Sequence, residues 1–483
     1  MPDAMKEPNM GQNQKRVAVI GAGIFGLSLA IALRKKGHIV TVFERNRYDK
    51  NKYEPEDDER VQAASVDLNK IFRASYGNKL HYQRLAMESR AAWLSLNEGL
   101  EDALFVGCGM LRVQPSDELG ALERETLANM ERDGFRDTQF VKSNVDDRKR
   151  ATSQGWSDKL LDFDIPNSTE HRAFDAVLDS LGGLTRCSAA CYQYYKMAVS
   201  AGVEFIFGSE EGAFQSFIEE NSVVDASKKR VVGLKTKDGK SHKAHVVAVA
   251  AGSFSTQLLP ELSYHLESAA GSLVTYKIDR NNKTLWDKYS PENFPVITWR
   301  SAPRACDGKD TGTIYVFPRT EDGIIKIGYR GVKFTNFQTA PNGVPFTQDG
   351  QWSIPLPYED CKAVPPQAEE AIRTFVSIFL PEFDEAEFYT TKLCWYTDSL
   401  DNSFVIDYVP HYADQSVFVC TGGSGHGAKF MPVLGEHAAD IFDNTDHAES
   451  HMRTHWRWRE DIPRINGLEE GPDGPRNIGG GPK

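Results

Sequence analysis

The first fifteen or so residues are polar, and the chain then turns abruptly apolar at Val17-Ala18-Val19-Ile20. Gly21-Ala22-Gly23-Ile24-Phe25-Gly26 follows, with apolar positions at helical spacing as far as about Lys36. After Gly37 comes a second apolar run, Ile39 to Phe43, closed by Glu44. The pattern predicts strand, tight turn, helix and strand. Arg45 to Arg60 has almost no apolar residue and predicts a mobile or surface loop. Order resumes at Ala63 to Arg73, with a helix over Leu80 to Leu96, a strand over Leu104 to Val113 and a polar-faced helix within Ser116 to Arg132. Gly182 to Thr185 introduces a helix over Ala189 to Ala201 and a strand over Val203 to Phe207. Further strands are predicted at Val231 to Thr236 and His245 to Gly252. The second of these ends in small residues, so its backbone can approach a ligand. From Gly271 to Tyr329 strands dominate (Val274 to Ile278, Thr313 to Phe317, Ile324 to Tyr329), which predicts an antiparallel second sheet. Val417 to Thr421 is a last buried strand, linked by Gly422 to Gly427 to a helix from about Met431 to Phe442. The tail after about Ile465 is rich in Gly and Pro and predicts a disordered or surface-wrapped segment.

Composition narrows the classes. At 483 residues the chain holds two domains with full cores, and 40% hydrophobic with 26% charged residues is ordinary for a soluble protein. A net charge of −12 without a basic run argues against nucleic acid. No apolar stretch approaches the roughly 20 residues that span a bilayer, and Met1 to Lys15 is too polar for a signal peptide. The end, Gly479 to Lys483, is not a peroxisomal signal, so a cytoplasmic location without membrane attachment is expected. Seven scattered cysteines without metal-ligand spacing predict reduced thiols and no metal site, and make the Asn167 and Asn282 sequons chance matches.

The chemistry begins at the glycines. Gly21 permits the tight turn, Gly23 a close backbone approach to a pyrophosphate, and Gly26 close packing of helix on strand. The helix from Ile24 aims unpaired N–H groups at the phosphates, and Glu44 stands where a carboxylate accepts hydrogen bonds from a ribose. These residues alone fit FAD or NAD. The absence of a second such unit and the glycine-rich turn at Thr421 to Gly427 favour FAD.

Four ordered motifs then carry a resemblance over about Arg16 to Phe442. They are the glycine fingerprint; Asp67-Leu68-Asn69-Lys70-Ile71-Phe72-Arg73-Ala74-Ser75-Tyr76-Gly77; Ile325-Lys326-Ile327-Gly328-Tyr329 with Cys394-Trp395-Tyr396-Thr397 and Phe404 to Asp407; and Gly423-Ser424-Gly425-His426-Gly427-Ala428-Lys429-Phe430. The chain resembles the sarcosine oxidase and fructosyl amino acid oxidase (amadoriase) family of flavin-dependent amine oxidases, in particular fungal members. The resemblance implies an α/β fold with an α+β substrate domain. A Rossmann-type FAD-binding domain (residues 15–97, 165–262 and 395–445) is interleaved with an antiparallel-sheet substrate domain (98–164 and 263–394), followed by a tail (446–483).

It also implies roles. Cys394 matches the cysteine bonded to the flavin 8α carbon, and Lys326 the lysine that promotes reaction with oxygen. Lys70 matches a basic flavin contact, and Arg73 with Lys429 the pair that grips a substrate carboxylate. Gly21, Ala22, Gly23, Ile24, Phe25, Gly26, Glu44, Arg45, Ser65, Gly425 and Gly427 complete the expected cofactor set. Arg330 departs from the pattern, because sarcosine oxidases carry histidine there, beside the substrate amine. A cation would repel an ammonium, so either Arg330 points away or the substrate brings an anionic or electron-rich group. His426 is expected to orient its loop.

The implied activity is oxidation of the C–N bond of an N-methyl or other N-alkyl amino acid to an imine, with O2 reduced to hydrogen peroxide, by a monomer. Arg73 with Tyr76-Gly77 favours N-alkyl amino acids, whereas Asn69-Lys70-Ile71 favours fructosyl amino acids. Saccharopine or pipecolate, a biosynthetic oxidase whose imine is trapped in a ring, and a flavin-bound protein without turnover are the other readings.

Overall fold

The strand Arg16–Ile20 lies inside a six-stranded sheet because both of its faces are apolar. In the computed structural model, which describes residues 14–165, 174–303, 311–446, 452–464 and 470–479, the sheet runs Val405–Tyr408, Val417–Thr421, Val246–Val249, Arg16–Ile20, Ile39–Glu44, Glu204–Phe207. All pairs are parallel except the first. Alternation along each strand separates two cores. Val17, Val19, Val40, Val42, Val246 and Ala248 face helices Ile24–Lys35, Cys187–Ser200 and Met431–Asp443. Ala18, Ile20, Val247, Val249, Val417 and Val419 face a small antiparallel sheet formed by Phe214–Asn221, Lys229–Thr236 and Ser241–Lys243.

The second sheet has eight strands, in the order Thr390–Ser399, Leu266–Lys277, Ile324–Phe334, Thr311–Val316, Val296–Pro303, Met110–Val113, Ala176–Asp179, Gln139–Val141. It is antiparallel as expected except where Val296–Pro303 runs parallel to Met110–Val113. One face, with Ile297, Ile314, Val316, Ile325, Ile327, Val274 and Trp395, packs on helix Pro366–Phe379, which buries Ala368, Ile372, Phe375, Val376 and Phe379. The other face carries Met110, Arg112, Thr298, Tyr315, Cys394 and Tyr396, which line a cavity between the two sheets.

The structure corrects several local expectations. The segment 45–60 is not an unanchored loop. Tyr48 and Tyr53 are fully buried, stacked with centroids 4.0 Å apart, and the Tyr53 hydroxyl donates to the Ala22 carbonyl at 2.7 Å. Two aromatic rings suffice to tie down an otherwise polar run. The stretch 104–113 is two short strands, Phe105–Val106 and Met110–Val113. The tail also docks in part: Arg459 and Arg476 are buried, and Ile478 N–H donates to Thr335 O at 2.8 Å. The Asn167 sequon and Cys306 lie outside the described residues. Six cysteines among the described residues are buried and unbonded. Among the described residues no helix is long and apolar enough to cross a membrane, and no cluster of His, Cys, Asp or Glu is arranged for a metal.

Candidate active site

A single cavity of about 1050 Å³ runs from the glycine fingerprint to the second sheet. That is the upper end of the roughly 300–1,000 Å³ of small-molecule sites, as a dinucleotide with substrate requires. At one end Gly21 adopts φ +107°, and a Cβ there would stand 2.6 Å from the Ala250 carbonyl oxygen. The helix Ile24–Lys35 has no side-chain cap and no acidic residue in its first turn, so its N–H groups stay open to an anion. Ala22 and Gly26 do not line the cavity. Ala22 N–H instead donates to Glu44 Oε2 at 2.9 Å, and a Cβ on Gly26 would overlap the Gly21 carbonyl. Glu44 is fixed further by Asn46, whose backbone N–H and side-chain amide donate to Oε1 at 2.9 and 2.6 Å. Arg45 lies 4.0 Å over the Phe254 ring, and the Ser65 hydroxyl stands next to Gly23. Ile24, Phe25, Gly425 and Gly427 complete this part of the wall, with the Phe25 ring against Gly423 and Gly427.

At the opposite end the site is built from charges. Cys394 pairs in register with Gly271, and its sulfur receives the Lys70 ammonium at 4.0 Å. Lys70 also bonds Asp67 Oδ2 at 2.6 Å, and Asp67 Oδ1 accepts from Lys326 at 2.8 Å. Lys326 is 2% exposed and donates as well to the Asn69 carbonyl, so its ammonium turns away from the cavity wall. The expected flavin-facing lysine therefore stands one layer back, captured by Asp67 and the Asn69 backbone, while Lys70 lines the cavity. Burial and the neighbouring Lys70 lower the Lys326 pKa against the pull of Asp67. Burial pushes the Asp67 carboxyl up, but the two lysines outweigh it and hold it well below the usual carboxylate range.

Arg73 and Lys429 converge on one ring. The guanidinium lies 4.3 Å and the ammonium 4.7 Å from the Tyr76 centroid. Lys429 is 3% exposed, held by Ser89 and Trp93 side chains that donate to its carbonyl, the indole at 2.7 Å. Neither cation has a carboxylate within 4 Å among the described residues. Burial, then the Arg73 charge, drives the Lys429 pKa well below its ordinary value. His426 is half-buried, and desolvation, then the Lys429 charge, holds its pKa well below the ordinary value, which keeps it neutral. Its Nε2 meets the Asn402 carbonyl at 3.0 Å, which can only accept, so Nδ1 is left to accept from the Tyr76 hydroxyl at 3.4 Å.

Arg330 does not point away. It lines the cavity, donates from Nε to the Tyr396 hydroxyl at 3.1 Å and from Nη1 to the Gly425 carbonyl at 3.3 Å, and faces Asp398 at 3.7 Å. Tyr396, one of the aromatics near the motifs expected to line a pocket, does so; Asp67, Tyr315, Asp398 and Lys333 were given no role from sequence. The alternation Cys394, Tyr396, Asp398 on one strand face was the signal available for Asp398.

A Rossmann-type sheet with an uncapped helix behind its glycine turn, opening into a cation-lined cavity under a second sheet, defines a dinucleotide-dependent oxidoreductase. Residues 16–441 match the FAD dependent oxidoreductase (DAO) family, and the chain belongs to it. It is 27% identical over 455 residues to L-saccharopine oxidase of Schizosaccharomyces pombe, covering 92% of this chain and 94% of that protein. It is 25% identical over 373 residues to N-methyl-L-tryptophan oxidase of Salmonella enteritidis, covering 77% and 82%. Among solved structures, the modified fructosyl peptide oxidase from Aspergillus nidulans in complex with FSA superposes with a TM-score of 0.76 at 22% identity, over 98% of this chain and all of that one. The fold, the family and the FAD dependence expected from the motifs thus agree with known proteins. The open helix N-terminus, the Glu44-braced turn and the length of the cavity all suit FAD.

Proposed function

We propose that the protein is an oxidase of secondary-amine amino acids that uses O2 as acceptor. The observation that carries this reading is the pair Arg73 and Lys429, one half-buried and one buried cation without a carboxylate partner among the described residues, in the same cavity as Cys394. An isolated cation in a dry wall is costly, and a substrate carboxylate offsets that cost while fixing the amine beside it. The related proteins are named for oxidation of saccharopine, N-methyl-tryptophan and fructosyl peptides, whose amino nitrogens carry a second carbon substituent.

When bound in this cavity, FAD would supply the two-electron acceptor for oxidation of the amine's C–N bond to an imine, with O2 as the final acceptor reduced to hydrogen peroxide. The chain's part is positioning. Arg73 and Lys429 anchor the α-carboxylate. Tyr76 holds both cations over its ring, and neutral His426 holds Tyr76. Lys70, Asp67 and Lys326 together keep a net positive charge beside Cys394, suited to anionic charge that develops during reaction with oxygen. Cys394 is the site proposed for a thioether to the flavin 8α carbon, with its thiol exposed to the cavity and Lys70 beside the sulfur.

Anaerobic mixing with N-methyl, N-fructosyl and cyclic amino acids, followed by flavin absorbance, tests the activity. Bleaching by one of these classes is expected; a flavin that stays oxidised with all of them refutes the reading. Acid precipitation tests the bond: the wild-type pellet should stay yellow, and a Cys394→Ala pellet should be colourless.

A further inference from the structure

Between Ser272↔Tyr329 and Ala270↔Phe334 the pairing of the two central strands breaks register. One strand contributes only Gly271 there, while the other contributes Arg330, Gly331, Val332 and Lys333. Such a bulge redirects side chains, and bulges concentrate next to active sites. Gly271 is the partner of Cys394, so the bulge lies over the strand pair nearest the proposed flavin attachment. Arg330 and Lys333 both line the cavity and both turn to the Oδ1 atom of Asp398, at 3.7 and 3.2 Å. Asp398 is fully buried, and its Oδ2 has no hydrogen-bond partner among the described residues. Two cations thus share one carboxylate, leaving one positive charge at the wall. Nε and Nη1 of Arg330 are anchored by hydrogen bonds to Tyr396 and Gly425, while Nη2 makes a 3.7 Å ion pair to Asp398 and, among the described residues, no hydrogen bond. Anchoring fixes the guanidinium and leaves one donor edge for a ligand.

We propose that Arg330 and Lys333 form a second carboxylate subsite, so that the substrate is a dicarboxylic secondary amine. One carboxylate belongs to the amino acid and is held at Arg73 and Lys429. The other is carried on the N-substituent and is held at the bulge. This rests on the amine-oxidase reading above and narrows its substrate class. It also resolves the repulsion expected between Arg330 and an ammonium, since the second carboxylate neutralises the guanidinium as the substrate enters.

The test measures binding rather than turnover, using thioethers in which sulfur replaces the amine. Calorimetry on the flavin-loaded full chain compares (methylthio)acetate, which has one carboxylate, with thiodiacetate and thiodipropionate, which have two. At least one dicarboxylate should bind roughly tenfold or more tightly than the monocarboxylate. Arg330→Met should erase most of that preference, Arg330→Lys should retain part of it, and Lys333→Met should reduce it. A wild-type protein that binds the monocarboxylate as well as either dicarboxylate overturns the subsite while leaving the amine-oxidase reading intact. So does an Arg330→Met variant that keeps the full preference, which assigns the guanidinium to the cofactor instead. Failure of all three to bind overturns both readings. The wild-type comparison requires no variant to fold.

Discussion

The Lys326 ammonium donates to the Asp67 carboxylate at 2.8 Å, and the two side chains are only 3% and 8% exposed. Because Asp67 also bonds Lys70 at 2.6 Å, one carboxylate serves two ammoniums and the trio is net positive. If that charge assists reaction with oxygen, Lys326→Met should slow reoxidation of the reduced enzyme about 10²-fold or more, with a much smaller effect on reduction by substrate. Stopped-flow measurement of the two half-reactions separates these steps. Unchanged reoxidation would mean that Lys326 is purely structural and that Lys70, at the cavity wall, supplies the charge.

Removing the carboxylate should cost more stability than removing one lysine. Asp67→Asn leaves the buried Lys326 ammonium and the half-buried Lys70 ammonium without a counter-charge, a change expected to destabilise by about 3–5 kcal/mol. The double variant Asp67→Asn/Lys326→Met should recover part of the loss, since one orphaned charge is gone. The folded-state pKa of Asp67 is depressed, so its contribution is present above the ordinary carboxylate range and is lost as pH falls through the folded value. Denaturant unfolding across acid pH should therefore show a shallower acid limb in Asp67→Asn than in wild type.

Lys429 links carboxylate binding to protons. Its folded pKa is lowered by burial and by Arg73, so the free protein loses this proton as pH rises through the depressed value. Affinity for a monocarboxylate should be highest below that pH and fall above it. Arg73→Met removes the repulsion and should move the falling limb to higher pH, although overall affinity drops. Lys429→Arg, charged throughout, should flatten it. Calorimetry in buffers of different ionisation enthalpy should reveal net proton uptake on binding above the Lys429 pKa. Zero uptake across the pH range would defeat this account.

The legible parts of this molecule are those where one short stretch carries the whole physical requirement. Val17 to Gly26 encodes strand, turn and helix by itself, and Glu44 closes the unit at the end of the next strand, so both were readable before any tertiary structure. The resemblance brought Arg73, Lys429 and Cys394 forward, and the fold gathers them into one cavity. What stayed hidden depends on register or on partners far apart in the chain. Lys326 is 259 residues from the carboxylate that captures it, and no local pattern tells which way its ammonium turns. Arg330 and Lys333, three apart, would face opposite sides of a regular strand, and only the bulge brings both to Asp398. Tyr48 and Tyr53 lie in the polar run expected to be a mobile or surface loop, yet the Tyr53 hydroxyl donates to the Ala22 carbonyl of the glycine turn.

Arg476 offers a test of whether the tail is part of the functional body. Its side chain is 2% exposed and bonds Glu267 at 3.1 Å and Glu470 at 2.9 Å, while Nη1 donates to the Lys333 carbonyl at 2.9 Å. Glu267 is nearly as buried, and its other nearby cation, Arg464, stands at 3.9 Å. Arg476→Met removes one partner of a buried ion pair and should destabilise by about 3–5 kcal/mol. Because burial raises the Glu267 pKa, part of this loss should be relieved at lower pH, where Glu267 takes up a proton and no longer buries a charge. Glu267→Gln in the Arg476→Met background should recover stability in the same way at neutral pH. The backbone bond to Lys333 also ties the tail to the bulge, so Arg476→Met should weaken dicarboxylate binding more than monocarboxylate binding. A variant with wild-type denaturation midpoint and unchanged ligand preference would make the docked tail dispensable to both fold and site.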